Sequence, residues 1–265
     1  MHFVWDFNPI AITIPFINVS IYWYGILFAA GFFIGYYCVS IYFKKQNLDT
    51  KYLDSLMLYM FLGTIIGARL AHCIFYDPSY YFKNPLSILK IWEGGLASHG
   101  GGIGLTISTL LFCKKYKINF LELADLLVIP TAFVGSLIRI GNFLNSEIYG
   151  KATDSEYGVI FAALKDNIYR HPVQLYESFS YILITLILLF TFNKVKYKGF
   201  NLGLFLILIF ITRIILEYFK PEQATYEFEF LGFTVGQLLS LPFIFIGFII
   251  ILCSLIKKNK SNYLK

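Results

Sequence analysis

A hydrophobic run that begins near Leu123 ends in the sequence Arg-Ile-Gly-Asn-Phe-Leu-Asn-Ser-Glu-Ile-Tyr-Gly, residues 139–150. Arg139 and Asn142 are three residues apart, so they share a helical face, and Ser146 is expected to follow on that face. A cation at membrane depth is costly and requires an anionic partner. Two partners remain open at this point: a lipid phosphate and a buried glutamate.

The composition is that of an integral membrane protein. Of the 265 residues, 57% are hydrophobic and only 14% are charged, whereas about 25% of residues are charged in soluble domains. Several hydrophobic runs are long enough to cross a hydrocarbon core roughly 30 Å thick. We therefore expect an all-α integral membrane protein with about seven transmembrane helices, forming one polytopic domain over residues 1–265.

The positive charge is distributed asymmetrically along the chain. Thirteen lysines fall in alternate connections: Lys44, Lys45, Lys51, Lys114, Lys115, Lys117, Lys194, Lys196, Lys198, Lys257, Lys258, Lys260 and Lys265. By the positive-inside rule these connections are cytoplasmic, which places the N-terminus outside and the C-terminus in the cytoplasm. The stretch 139–150 then lies at an outer end. This placement explains the net charge of +6 without a nucleic-acid partner.

The segments outside the spans are short. Residues 1–20 contain prolines and branched apolar residues and are expected to form an interfacial arm on the outer surface. Residues 145–172 are expected to form a small external cap between the fourth and fifth helices. The first twenty residues lack a basic n-region, so we do not expect a cleaved signal peptide. Four cysteines without metal-ligand spacing are interpreted as packing residues: Cys38, Cys73, Cys113 and Cys253.

The first three spans carry polar residues whose roles the pattern leaves open. Tyr24 belongs either to the aromatic belt or to a head-group site. Arg69 either reaches the interface with its long side chain or adds positive potential to an outward-facing site. The glycines of residues 94–104 permit close helix packing, but the imidazole of His99 among them favours a site.

The fifth and sixth spans present polar residues at helical spacing. His171, Gln174 and Glu177 lie three apart along one face, and Arg213 and Glu217 are four apart and can neutralise each other. The polar residues of all the spans are expected towards the outer half of the membrane. A one-sided set is typical of an enzyme that acts on lipid head groups. A transporter should show a midplane site and often two related halves, and the sequence lacks those signs.

Six motifs in order resemble one known family. They are Tyr-Gly at 24–25, Gly-Ala-Arg at 67–69, Gly-Gly-Leu-Ala-Ser-His-Gly-Gly at 94–101, Arg-Ile-Gly-Asn-Phe-Leu-Asn-Ser-Glu at 139–147, His-Pro-Val-Gln-Leu-Tyr-Glu at 171–177 and Arg-Ile-Ile-Leu-Glu at 213–217. Together, on a background of seven spans, they resemble the bacterial prolipoprotein diacylglyceryl transferases. The resemblance covers nearly the whole chain.

The resemblance implies a reaction and its partners. The sn-1,2-diacylglyceryl group of phosphatidylglycerol would pass to the lipobox cysteine thiol of a prolipoprotein. A thioether forms and glycerol-1-phosphate leaves, which is the first step of bacterial lipoprotein maturation. The resemblance also implies contact with the prolipoprotein signal peptide and with membrane lipids, in the bacterial cytoplasmic (inner) membrane, with the active site facing the outer leaflet. No cofactor and no metal are expected, because the usual motifs for them are missing.

The same resemblance suggests residues for the phosphate site. We expect Arg139 to bind the phosphate of phosphatidylglycerol, with Asn142 and Asn145 supporting the head group. Arg213, oriented by Glu217, would stabilise the departing phosphate, since developing negative charge needs guanidinium donors.

Other residues are expected around that site. Tyr24 and Glu147 would position the lipid glycerol, and Arg69 would add a lipid contact. His99 would take or relay the thiol proton, although an arginine-rich site can also favour the thiolate without a base. Secondary candidates are His171, Gln174, Glu177 and Lys220.

The sequence departs from the family pattern at three positions. Ile138 stands where a glycine usually precedes the arginine of the signature, and Ile209 stands where a tyrosine is common. Lys220 replaces an arginine, which keeps the charge but loses bidentate geometry. Two rival functions are a lipid or solute transporter and a lipid phosphotransferase of another family, but the paired-aspartate metal motifs of the latter are missing.

Overall fold

The computed structural model describes residues 3–16, 19–45, 49–221 and 234–256, and most of them are helical. Eight α-helices occur in these ranges: α1 (Trp23–Lys45), α2 (Thr50–Phe75), α3 (Pro78–Lys83), α4 (Ser98–Tyr116), α5 (Phe120–Leu144), α6 (Val173–Lys194), α7 (Phe200–Glu217) and α8 (Val235–Ile256). All except α3 have 18 residues or more. The prediction of a mainly helical membrane protein is confirmed.

Six of the described helices are long and apolar enough to cross a membrane, namely α1, α2, α5, α6, α7 and α8. The remaining long helix, α4, is less apolar because glycine, serine and threonine fill much of its first half. The expected count of about seven spans is therefore supported for six helices. The crossing of the membrane by α4 stays a prediction.

The chain forms two compact units, one comprising Met1–Tyr37 with Ala124–Lys265 and the other Cys38–Leu123. In the second unit, which we call the glycine unit, α2 and α4 pack backbone against backbone. A Cβ atom added at Gly104 would collide with the carbonyl oxygen of Gly63, and one added at Gly100 would collide with that of Gly67. The glycines of residues 94–104 thus do bring two helices together, as their pattern allowed.

The other unit, which we call the arginine unit, is built on α5, α6, α7 and α8. Val128, Ile129 and Ala132 of α5 pack against Ile184 and Leu188 of α6.

The start of α7 in the arginine unit is held by a carboxylate of α5. Asp125, which is buried, accepts hydrogen bonds from the backbone N–H groups of Gly199 and Leu202 at 2.6 and 2.8 Å. Two of the orphan donors at the start of α7 are thereby satisfied. The contact fixes α7, which carries Arg213 and Glu217, relative to α5, which carries Arg139.

Four short strands occur among the described residues of the arginine unit. β1 (Phe3–Trp5) pairs in parallel with β4 (Val159–Phe161), and β2 (Ile10–Ile14) pairs antiparallel with β3 (Val19–Tyr22). The description of the fold as all-α therefore needs these strands added. The sequence suggested an arm over residues 1–20 and a cap over residues 145–172, but not that β1 and β4 would pair across such a distance in the chain.

Candidate active site

Glu177 lies at the centre of a buried group of three charges in the arginine unit. Its Oε2 atom is 2.7 Å from Nε of Arg139, and its Oε1 atom is 2.7 Å from Nζ of Lys220. The side chains of Glu177 and Lys220 are only 2% and 6% exposed, whereas that of Arg139 is 20% exposed. We call these three residues the charge triad. It carries two positive charges and one negative charge, so it has a surplus of +1, and its accessible member is Arg139.

The helical spacing in α5 brings Asn142 to Arg139 as predicted. Nη1 of Arg139 donates to Oδ1 of Asn142 at 3.3 Å, and Asn142 is buried. The expectation that Ser146 follows on the same face is wrong. Helix α5 ends at Leu144, and Ser146 has a φ of 56°, in the left-handed region where a helix does not continue.

The loop that follows α5 is tied to the start of α6. Nε2 of Gln174 donates to the carbonyl oxygen of Glu147 at 2.6 Å, and Nδ2 of Asn145 lies 3.4 Å from Oε1 of Glu147. Gln174 is fully buried, while Glu147 is exposed. Ile148, a β-branched residue, has a φ of 53°, a strained conformation that persists only where surrounding contacts impose it. The loop is thus held in one shape beside the charge triad.

Gly150 closes this loop against two other segments. Its N–H donates to the carbonyl oxygen of His171 at 2.9 Å, and the N–H of Lys151 donates to that of Phe219 at 2.8 Å. The ring of His171 packs against Phe219, and its Nδ1 lies 3.4 Å from the hydroxyl of Tyr176. His171 thus joins the ends of α5, α6 and α7, and the structure records no contact between it and the charge triad within the described residues.

Arg213 and Glu217 do not form the ion pair that their spacing suggested, within the residues that the structure describes. Glu217 is the last residue of α7, and its carboxylate turns towards the start of α8, where a Cβ atom on Gly236 would collide with it. Oε2 of Glu217 is buried without a hydrogen-bond partner in the described part of the chain. The predicted orientation of Arg213 by Glu217 therefore needs correction, because the last helical turn directs the carboxylate to α8.

Tyr181 is a member of the site that the sequence analysis missed. Glu177, Arg139 and Arg213 all contribute to the electrostatic environment of its hydroxyl, and Arg139 also interacts with it as a hydrogen-bond partner. Tyr181 follows Glu177 by four residues, so the helical repeat that relates Gln174 and Glu177 to one face could have pointed to it. Tyr181 therefore interacts both with Arg213 and with two members of the charge triad.

Tyr24 packs against the helix that carries Arg139. A Cβ atom added at Gly141 would lie 2.7 Å from Cδ2 of Tyr24, so the glycine of the signature makes room for this ring. Tyr24 therefore contacts α5 directly, and this contact is compatible with a position in the aromatic belt. Its predicted contact with lipid glycerol stays a prediction.

Arg69 has a different environment, inside the glycine unit. Its side chain donates to the backbone carbonyl oxygens of Ile88 at 2.9 Å, Ser87 at 2.6 Å, Gly94 at 2.5 Å and Gly95 at 3.2 Å. These bonds use four of the five N–H donors of a guanidinium group. Arg69 is 4% exposed, so its first role is to hold the connection that leads into α4.

The side chain of His99 lies outside what the structure describes. Its backbone belongs to the first turn of α4, directly after the connection held by Arg69. The predicted role of His99 in proton transfer therefore stays a prediction.

A model of one protein family matches residues 9–253, and its description is prolipoprotein diacylglyceryl transferase. Three relatives are named phosphatidylglycerol–prolipoprotein diacylglyceryl transferase. The chain is 49% identical to the relative from Tolumonas auensis over 97% of this chain and 99% of that relative. It is 39% identical to the relative from Porphyromonas gingivalis over 92% and 91% of the two chains, and 38% identical to that from Rickettsia bellii over 93% and 95%.

Proposed function

The chain belongs to the prolipoprotein diacylglyceryl transferase family, and on that basis we propose that it transfers the sn-1,2-diacylglyceryl group of phosphatidylglycerol to the lipobox cysteine thiol of prolipoproteins. The sulfur attacks the glyceryl carbon that bears the phosphate, a carbon–sulfur bond forms, and the carbon–oxygen bond to phosphate breaks. Glycerol-1-phosphate leaves with the electron pair, and the thiol proton passes to a base. The product is the thioether that begins lipoprotein maturation.

The observation that carries the proposal is the surplus positive charge of the triad at the end of α5. Arg139 shares Glu177 with Lys220, so its own charge is not fully offset, and part of its side chain remains accessible. A guanidinium in this state suits a phosphate diester, which it can bind through charge-assisted hydrogen bonds. It also stabilises the negative charge that grows on the phosphate as the carbon–oxygen bond breaks.

Other residues of the arginine unit take supporting roles in this scheme. Asn142 fixes the guanidinium of Arg139, and Asn145 contacts the head group. Arg213 stabilises the departing phosphate, and its surroundings beside Tyr181 support that role. Glu217, whose buried Oε2 lacks a partner among the described residues, accepts a hydrogen bond from the substrate rather than orienting Arg213.

The remaining predicted residues act around the lipid glycerol and the thiol. Tyr24, which packs on Gly141, and Glu147, which is exposed beside Asn145, position the glycerol of the lipid. His99 takes or relays the thiol proton. Arg69 has a structural role instead, because it holds the connection that precedes α4.

The scheme has a defined place in the cell. The protein spans the bacterial cytoplasmic membrane with α4 as a seventh crossing, and its active site faces the outer leaflet. The lysine-rich alternate connections support this orientation. The prolipoprotein then approaches with the apolar helix of its signal peptide in the bilayer and its lipobox cysteine at the outer surface. Residues 1–20 and 145–172 form an arm and a cap on that surface.

A transfer assay tests the proposed reaction. Purified protein in micelles that contain phosphatidylglycerol is mixed with a lipobox peptide, and mass spectrometry follows the peptide. The expected product carries the diacylglyceryl mass on cysteine, with glycerol-1-phosphate released in equal amount. A peptide with serine in place of the cysteine is the control and stays unmodified. An unmodified cysteine peptide, together with lipid transport into liposomes, would support the transporter instead.

A further inference from the structure

The ionic contact between Glu177 and Arg139 has an unusual geometry. Nε of Arg139 approaches one carboxylate oxygen at 2.7 Å, but the approach is not aligned as a hydrogen bond. A free carboxylate normally takes an arginine with two parallel hydrogen bonds. The same unit contains such a pair, because Asp166 accepts from Nη1 and from Nη2 of Arg170, each at 2.7 Å. Glu177 thus binds Arg139 through one oxygen, although a carboxylate can bind an arginine with both.

Lys220 accounts for the difference. It is 6% exposed, and its ammonium group lies 2.7 Å from the second oxygen of Glu177. Burying a lysine without an anionic partner is very costly, so Lys220 requires the carboxylate of Glu177 beside it. Since one oxygen is engaged by Lys220, Glu177 cannot grip both edges of the guanidinium of Arg139. The side chain of Arg139 remains 20% exposed.

We propose that Lys220 is a positioning residue for phosphate binding, and that it acts through Glu177. It holds Glu177 in a one-oxygen contact with Arg139 and sets the charge of the triad at +1. Without Lys220, Glu177 would close on Arg139 as Asp166 closes on Arg170, and the triad would become neutral. The affinity for the phosphate of phosphatidylglycerol would then fall. This inference rests on the proposed function, because it concerns the same site.

Substitutions that change the charge of the triad separate this role from simple neutralisation of a buried glutamate. Lys220→Met gives a net charge of 0, and Lys220→Arg keeps +1. The double variant Glu177→Gln, Lys220→Met also keeps +1, because both partners lose their charge together. If Lys220 only neutralises Glu177, then Lys220→Met changes stability and leaves the KM for phosphatidylglycerol unchanged.

The test measures transfer to a lipobox peptide while the mole fraction of phosphatidylglycerol in inert micelles is varied, with rates normalised to folded protein. Lys220→Met should raise the KM for phosphatidylglycerol about tenfold, the order expected for one charge-assisted contact, with a smaller change in kcat. Lys220→Arg and the double variant should stay within about threefold of the wild-type KM. Lys151→Met removes an exposed lysine of the same unit and should leave KM unchanged.

Two results would overturn the proposal. A folded Lys220→Met protein with wild-type KM would overturn it, and so would a double variant whose KM is raised as far as in Lys220→Met. If Lys220→Met does not fold, the double variant alone decides, since the proposal requires a near wild-type KM for it. A wild-type protein that transfers nothing would overturn the proposed function, whereas normal transfer with no effect at Lys220 would overturn this inference alone.

Discussion

Arg69 and Arg139 are both placed by sequence near the outer ends of membrane spans, yet the structure treats them differently. Arg69, in the glycine unit, donates four hydrogen bonds to backbone carbonyl oxygens and is almost completely enclosed. Arg139, in the arginine unit, makes an off-axis ionic contact with Glu177 and a hydrogen bond to Asn142, lies beside Tyr181, and is partly exposed. The guanidinium of Arg69 is used in holding the fold, whereas that of Arg139 can still bind a ligand.

The comparison shows that an arginine at membrane depth is not by itself evidence of a binding site. What distinguishes the two residues is whether their partners satisfy both charge and donors. Backbone carbonyls satisfy the donors of Arg69 in a closed connection. At Arg139 one carboxylate is divided between two cations, so a positive charge remains in excess. The following predictions test this distinction, from the largest expected effect to the smallest.

Arg139→Ala should lower kcat/KM for transfer by about 100- to 1000-fold, which is the usual cost of removing one donor that stabilises developing negative charge. Thermal unfolding in detergent should change little, because Lys220 still pairs with Glu177. Arg170→Ala, which removes an arginine from the same unit, is the control for transfer. If Arg139→Ala kept its rate, Arg139 would resemble Arg69 and the comparison would fail.

Arg69→Ala should act on stability instead. Four backbone carbonyl oxygens lose their donor, and we expect the free energy of unfolding to fall by about 3–5 kcal/mol. Transfer per folded molecule should remain close to that of the wild type. The measurement pairs thermal unfolding with the transfer assay on the same preparation. A stable Arg69→Ala protein without activity would contradict the structural role and return Arg69 to the lipid site.

Gly104→Ala tests whether α2 and α4 pack backbone against backbone in the glycine unit. The added methyl group would collide with the carbonyl oxygen of Gly63, so α2 and α4 must separate, at a cost of about 1–3 kcal/mol. Gly102, in the same helix, has open space at the corresponding position. Gly102→Ala should be neutral or stabilise by about 0.5–1 kcal/mol, because alanine favours a helix more than glycine does. Equal unfolding temperatures for the two variants would refute backbone packing at Gly104.

The smallest expected effect concerns the ion pair between Arg170 and Asp166. Arg170 and the hydrogen bond it donates hold the pKa of Asp166 below its usual range. A carboxylate whose pKa is lowered in the folded state contributes stability above its unfolded pKa, and loses it as the pH falls through the folded value. Asp166→Asn should therefore slightly lower the unfolding temperature at neutral pH. The difference from the wild type should vanish in acid, and a difference that grows in acid would contradict the assignment.

Patterns within one helix were predictable from the sequence. The hydrophobic run that begins near Leu123 lies in α5, and the contact between Arg139 and Asn142 follows from a spacing of three. The glycines of residues 94–104 correctly indicated close packing with another helix. Each of these features depends on residues that are near one another in the chain, where helical periodicity relates sequence to position.

Features that join distant segments were not predictable in the same way. The pairing of β1 with β4 connects residues about 155 positions apart along the chain. The triad combines α5, α6 and a residue three positions beyond the end of α7, so the choice of Glu177 as partner of Lys220 depends on tertiary packing. The expected pair of Arg213 and Glu217 does not form among the described residues for the same reason, since the carboxylate of Glu217 lies against the start of α8.

The most direct test of the central claim is to find where the head group of the lipid lies. Phosphatidylglycerol with a photoreactive group on its head-group glycerol is irradiated with the purified protein, and the modified peptides are mapped by mass spectrometry. The account predicts labels in residues 139–150 and 171–177, around Arg139 and Glu177. Labels confined to residues 85–95, the connection held by Arg69, would contradict it.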